Sequence, residues 1–158
     1  MADIVPATTI SDIRTIGRLF REYEQFLHED LCFQRFEEEL AGLPGKYAGP
    51  CGALLLAVER GRTAGCVAMR PLAEGVCEMK RLYVRPAFLG RGIGRQLAMD
   101  VIERAREAGY TAMRLDTLER LRPALGLYRS LGFRTCPAYY DNPLPGVVFL
   151  ELELPATR

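Results

Sequence analysis

The chain has 158 residues, enough for one domain with a complete core, and its make-up is ordinary for a globular protein, 49% apolar and 26% charged. Its 21 Lys and Arg nearly balance 20 Asp and Glu, leaving a net charge of +1. The arginines are scattered among the acids, so charge points to neither nucleic acid nor a membrane surface.

Five cysteines (Cys32, Cys51, Cys66, Cys77 and Cys136) lack C-x-x-C spacing, and His28 is the one histidine. That set suits no zinc site, so no metal is expected. Buried, reduced cysteines in a reducing cytoplasm are expected instead. Met1 to Pro6 shows no basic region followed by an apolar stretch, and no run approaches a membrane span, so neither a secretory leader nor a membrane partner is expected.

In chain order, Asp3 to Pro6 reads as a short strand. Thr9 and Asp12 then form a capping-box pattern that opens a helix with Ile13, Ile16, Phe20, Tyr23 and Leu27 along one stripe. Phe33, Phe36 and Leu40 suggest a second short helix, stopped by Gly42-Leu43-Pro44-Gly45. Ala53 to Val58 is a nearly unbroken apolar run, the signature of a strand buried on both faces. Short turns at 59–62 and 71–75 join it to strands at 63–69 and 76–84, predicting three successive antiparallel strands. Period-two alternation predicts that Glu78, Lys80, Leu82 and Val84 share one sheet face, with Met79, Arg81 and Tyr83 on the other.

Pro86 ends the third of these strands. Leu89-Gly90-Arg91-Gly92-Ile93-Gly94-Arg95 follows and runs into a helix whose apolar positions are Leu97, Ala98, Val101, Ile102, Ala105 and Ala108, closed at Gly109. Alternate glycines at a helix start let backbone N–H groups gather around an anion, and the helix dipole favours negative charge there. A phosphate-bearing ligand is the expectation. Arg95 and Gln96 stand where a P-loop needs Lys and Ser or Thr, and the glycine spacing departs from G-x-G-x-x-G. A strand at 111–116, a helix starting near Pro123 and ending at Gly132, and closing strands at 133–136 and 147–152 complete the chain.

The loop resembles the pyrophosphate loop of the GNAT superfamily of N-acetyltransferases, Arg/Gln-x-x-Gly-x-Gly/Ala, except that Leu89 replaces the first Arg or Gln. Leu127-Tyr128-Arg129-Ser130-Leu131-Gly132-Phe133 resembles the (F/L)Y-x-x-x-GF signature of the same superfamily. The two motifs stand in the right order with a strand between them. The resemblance covers residues 51–154 well and 1–50 in outline. It implies an α/β GNAT acyl-CoA N-acyltransferase fold over residues 1–158, with a mixed, mostly antiparallel central sheet flanked by helices.

It also implies acetyl-CoA as donor and direct attack by an amine, without an acetyl-enzyme. Leu82, Tyr83 and Val84 would offer backbone groups to the pantetheine arm. The amides of Gly90 to Arg95, helped by Arg91 and Arg95, would hold the pyrophosphate, and Thr117 would add a hydrogen bond. Asp116 would do the same or end its strand. Glu78, fourteen positions before Gly92, has an offset similar to that of the glutamate base in histone acetyltransferases of the superfamily. An ion pair with a neighbouring Lys or Arg is its alternative. Tyr128 would protonate the departing thiolate or pack as a core aromatic.

Glu29, Asp30, Phe33 and Gln34 lie where the acceptor pocket forms in similar proteins, and Tyr139 and Tyr140 lie in the loop that closes it. The expected acceptor is a small-molecule amine, and the resemblance allows a homodimer. A protein lysine or N-terminal acetyltransferase, and a non-catalytic acyl-CoA-binding module, are the alternatives.

Overall fold

The structure is a computed structural model that describes residues 1–155. The chain forms β1 (Asp3–Pro6), α1 (Ile10–Leu27), a short 3-10 turn at Cys32–Gln34, and α2 (Phe36–Ala41). Then come β2 (Ala53–Glu59), β3 (Arg62–Ala73), β4 (Val76–Val84), α3 (Ile93–Glu107), β5 (Ala112–Leu118), α4 (Arg122–Ser130), β6 (Arg134–Thr135) and β7 (Val147–Glu153). One seven-stranded sheet runs in the order β1-β2-β3-β4-β5-β7-β6, and only the β4–β5 pair is parallel. The expected mixed, mostly antiparallel sheet is therefore present.

Two apolar layers sandwich the sheet. On one face α3 packs Leu97, Ala98, Val101 and Ala105 against Leu55, Val67, Met79 and Met113. On the other, α1 packs Ile16, Leu19 and Phe20 against Leu54, Leu56, Cys66 and Ala68. Each such fully buried Leu, Ile or Phe contributes about 1.5–3 kcal/mol. β2 serves both layers, which is why its run is apolar throughout.

The start of α1 is fixed by the expected capping box: Thr9 Oγ1 accepts from the Asp12 N–H at 3.0 Å, and the Asp12 carboxylate accepts from Thr9 N–H at 3.2 Å. The expected second helix divides at Arg35, whose φ of 57° separates the 3-10 turn from α2. β3 runs through Pro71 to Ala73, longer than its apolar core, so the turn to β4 narrows to Glu74-Gly75. β5 extends to Leu118 because β7 pairs with it along its full length, so Asp116 and Thr117 lie within the strand rather than at its end.

The largest departure from expectation is a bulge in β4. Cys66 pairs with Tyr83 but Ala68 with Lys80, so Val67 stands opposite both Arg81 and Leu82, and Arg81 takes φ 60°. The extra residue reverses the alternation beyond it. Leu82 and Val84 therefore join Met79 on the α3 face, while Arg81 and Tyr83 share the α1 face with Glu78 and Lys80. The expected face assignment is corrected for these four residues.

Three cysteines also differ from expectation. Cys66 and Cys77 are buried, but Cys32 and Cys51 are exposed and Cys136 is half-buried, and all five are free.

Candidate active site

β4 and β5 pair only from Val76–Ala112 to Glu78–Arg114. Beyond Glu78 the strands part, because β5 follows β7 while the bulge turns β4 away. A cavity of about 470 Å³ opens at this parting, walled by Lys80 to Val84, by Leu115 to Leu118 and by Tyr128 and Leu127 of α4. Its mouth is the glycine loop, with Gly90, Gly92 and Gly94 on the lining.

The loop is built for close approach. Gly90 and Gly92 take φ of 78° and 75°, a conformation that costs a residue with a Cβ about 1–2 kcal/mol. Among the described residues beyond its chain neighbours, no atom lies within 4 Å of where a Cβ at either position would stand. Gly92 caps α3, so the unpaired N–H groups of the first helical turn face the mouth. Gly94 lies inside the helix, where a Cβ would only meet Leu127 and Val84 at 3.7 Å. Ile93 is buried in the core and Leu89 is exposed. The two loop arginines already have protein partners: Arg91 pairs with Glu59 at 2.5 Å, and Arg95 donates to Ser130 Oγ at 2.6 Å.

Tyr128 is 7% exposed and packs edge-on against Phe133, yet it reaches the cavity wall. Burial holds its hydroxyl well above the usual tyrosine range, so the proton stays on at neutral pH. Packing and cavity contact hold together in one residue. Thr117 also lines the cavity.

Glu78 is 1% exposed and both its oxygens are engaged. Arg70 Nε donates to Oε1 at 2.9 Å and Tyr139 donates to Oε2 at 2.6 Å. The ion pair expected as the alternative for this residue is formed, though its partner comes from β3. Glu78, Tyr139 and Tyr140 do not line the cavity, whereas Asp116 is the carboxylate on its wall. Asp116 Oδ2 accepts from the Tyr140 hydroxyl and, at 2.8 Å, from Asn142 Nδ2. Gln34 Nε2 donates to the Tyr140 hydroxyl at 2.9 Å, and Lys80 Nζ donates to Gln34 Oε1 at 3.1 Å. Burial, with Arg81 next in the chain, pulls Lys80 down to about 8, against the opposing pull of Glu78 and Asp116.

The fold thus brings Gln34, Tyr139 and Tyr140 together with Glu78. Glu29 and Asp30 are turned to other tasks: Glu29 pairs with Arg120 at 3.5 Å, and Asp30 accepts from the Cys32 N–H at 2.8 Å. Phe33 packs against the α1-side core rather than on the cavity. Arg70 was not foreseen, since nothing in its strand marks it as a partner of Glu78. Lys80 was visible only as a neighbour of Glu78, although two residues' spacing on a strand does put them on one face.

The acetyltransferase (GNAT) family matches residues 13–133, and the chain belongs to this family. It is an acetyltransferase, and acetyl-CoA is the acetyl donor of the family. An uncharacterized N-acetyltransferase of Schizosaccharomyces pombe is 45% identical over 145 residues, covering 90% of this chain and 89% of the relative. The N-acetylaspartate synthetase of Danio rerio is 34% identical over 117 residues, 73% of this chain and 42% of the relative. A solved structure from Klebsiella pneumoniae, described as an acyl-CoA N-acyltransferase, is 27% identical with a TM-score of 0.73, covering 98% of each chain. Among the described residues, no helix is long and apolar enough to cross a membrane and no three His, Cys, Asp or Glu side chains cluster as metal ligands.

Proposed function

We propose that this acetyltransferase moves the acetyl group of acetyl-CoA to the amine of a small molecule by direct attack. The observation that carries the reading is the parting of β4 from β5 over a cavity lined by the glycine loop and by a polar wall. Gly90 and Gly92 leave space and amides for a pyrophosphate, and among the described residues the β5-side edge of Leu82 to Val84 has no strand partner, which suits a pantetheine arm. Gln34, Lys80, Asp116 and Asn142 give the cavity a compact polar wall, which suits a small acceptor better than a polypeptide. The relative named for N-acetylaspartate, a small molecule, agrees. One domain acting in the cytoplasm, where the five free cysteines stay reduced, completes the reading.

In the transfer, the amine nitrogen bonds the acetyl carbon and the carbon–sulfur bond breaks. The thiolate takes a proton from Tyr128. The amine proton passes through one water to the Tyr139 oxygen as the Tyr139 proton passes to Glu78 Oε2, a relay suggested by their 2.6 Å bond. Burial next to Glu78 makes a free Tyr139 phenolate costly, so the two transfers are coupled. A screen of small amines and peptides with acetyl-CoA, read by thiol release, tests the reading. Turnover on small amines is expected. Turnover confined to peptides would favour the protein-acetylating alternative, and coenzyme A binding without any turnover the non-catalytic one.

A further inference from the structure

Three cations line the α1 face of β3 and β4 around the parting, and two have carboxylates of their own. Arg70 holds Glu78 at 2.9 Å and Arg81 holds Glu39 with two bonds of 3.1 Å. The third, Lys80, is 6% exposed and lies on the cavity wall, yet no carboxylate stands within 4 Å of its Nζ among the described residues. Gln34 Oε1 takes one of its three N–H donors, and among the described residues the other two have no protein acceptor. A buried cation with no carboxylate in contact is costly to hold. Its retention on the wall of the reaction cavity is explained if a ligand supplies the missing anion.

We infer that the acceptor is an amine bearing a carboxylate, of amino-acid type, and that Lys80 Nζ binds the carboxylate. The inference rests on the small-amine reading above and names its substrate class. The same wall offers the complementary charge: Asp116 keeps Oδ1 free of hydrogen bonds among the described residues while Oδ2 is held by Tyr140 and Asn142. The amino group of such a molecule, once it has lost its ammonium proton to solvent, and its carboxylate would thus meet Asp116 and Lys80, which Gln34 and Tyr140 link by hydrogen bonds into one surface.

The test uses amino acids, each paired with the amine left by removing its carboxylate, assayed for thiol release with acetyl-CoA. The acid of at least one pair is expected to be preferred by tenfold or more in kcat/KM. Lys80→Met, which keeps the buried stem, should erase that preference by raising KM for the acid, with kcat and the amine's KM little changed. Lys80→Arg should keep part of the preference, a check that survives if the methionine variant folds poorly. Equal use of acid and amine in every pair overturns the inference, as does a preference that persists in Lys80→Met. A fall in kcat for both partners alike would make Lys80 a proton-transfer group instead, and also overturns it. If no acceptor turns over, the small-amine reading fails separately. Calorimetric titration of the coenzyme A complex with glycine and N-acetylglycine then decides: binding lost in Lys80→Met supports the carboxylate site, and no binding to the wild type refutes it.

Discussion

The two ends of the cavity are built on different principles. At the glycine loop, the groups offered to a ligand belong to the backbone, and the nearby arginines are occupied elsewhere, Arg91 by Glu59 and Arg95 by Ser130. At the polar wall, backbone matters little. Side chains from β3, β4, β5, the 3-10 turn and the β6–β7 loop meet through Arg70, Glu78, Lys80, Asp116, Gln34, Tyr139 and Tyr140. A backbone site tolerates any side chain that leaves φ and space alone. A side-chain site depends on each identity, and that makes it the place where members of one fold come to differ in acceptor.

The sharpest way to break this contrast is at the side-chain end. Tyr128→Phe keeps the ring against Phe133 and removes only the hydroxyl. Turnover is expected to fall by about 10²–10⁴-fold with coenzyme A affinity nearly unchanged, as for loss of a positioned acid. Single-turnover kinetics beside calorimetry would show it. Unaltered turnover would leave Tyr128 a packing residue.

Glu78→Gln comes next. The amide still fits between Arg70 and Tyr139, but it cannot take the relayed proton and it strips Arg70 of its counter-charge. A loss on the order of 10²-fold in kcat is expected, with a rise of rate with pH displaced upward or flattened. If thermal stability drops while the pH profile keeps its shape, Glu78 serves as an ion-pair partner that positions Tyr139. The amine would then lose its proton to solvent.

At the backbone end, Gly92→Val places a β-branched residue at φ 75° in the space offered to the pyrophosphate. Coenzyme A affinity should fall by tenfold or more, whereas Arg91→Ala, which frees Glu59 and uncovers the Phe88 ring, should cost little. Comparable losses in the two variants would show the loop to work through its side chains after all.

The backbone end was legible in the sequence and the other end largely was not, for a physical reason. Glycine spacing, the helix that follows and the signature around Tyr128 are local, so a short window holds the whole message. Gln34, Glu78, Lys80, Asp116 and Tyr140 meet only because the sheet assembles, and no window contains them together. Glu29 and Asp30 lie near Gln34 in sequence yet are spent on Arg120 and on the 3-10 turn. The bulge hid the rest: strict alternation carries Leu82 onto the wrong face, and one residue in a left-handed conformation at Arg81 undoes it. Arginine carries no strong signal for that conformation, unlike Gly90 or Gly92, so only the pairing of β3 with β4 reveals it.

The smallest expected effect is a pH dependence of stability that isolates Lys80. Its ammonium titrates near 8 in the folded protein because burial and Arg81 disfavour the charge, against about 10.4 unfolded. The unfolded chain therefore binds more protons between these values, and the lysine adds stability as pH rises through that window. Facing it are Glu78 and Arg81 on β4, Arg70 on β3 and Asp116 on β5. Buried Cys66 and Cys77 act in the opposite sense, since burial raises both thiols and their contribution fades above pH 8 to 9. Wild type alone would confound the two. Subtracting Lys80→Met cancels the cysteines, and the difference should move toward the wild type by at most about 1.4 kcal/mol per pH unit above 8. Urea unfolding of both proteins at pH 7.5, 8.5 and 9.5 measures it. A flat difference would mean that the ammonium is hydrated rather than held on a dry wall, and the side-chain end of the cavity would be wetter than its backbone end.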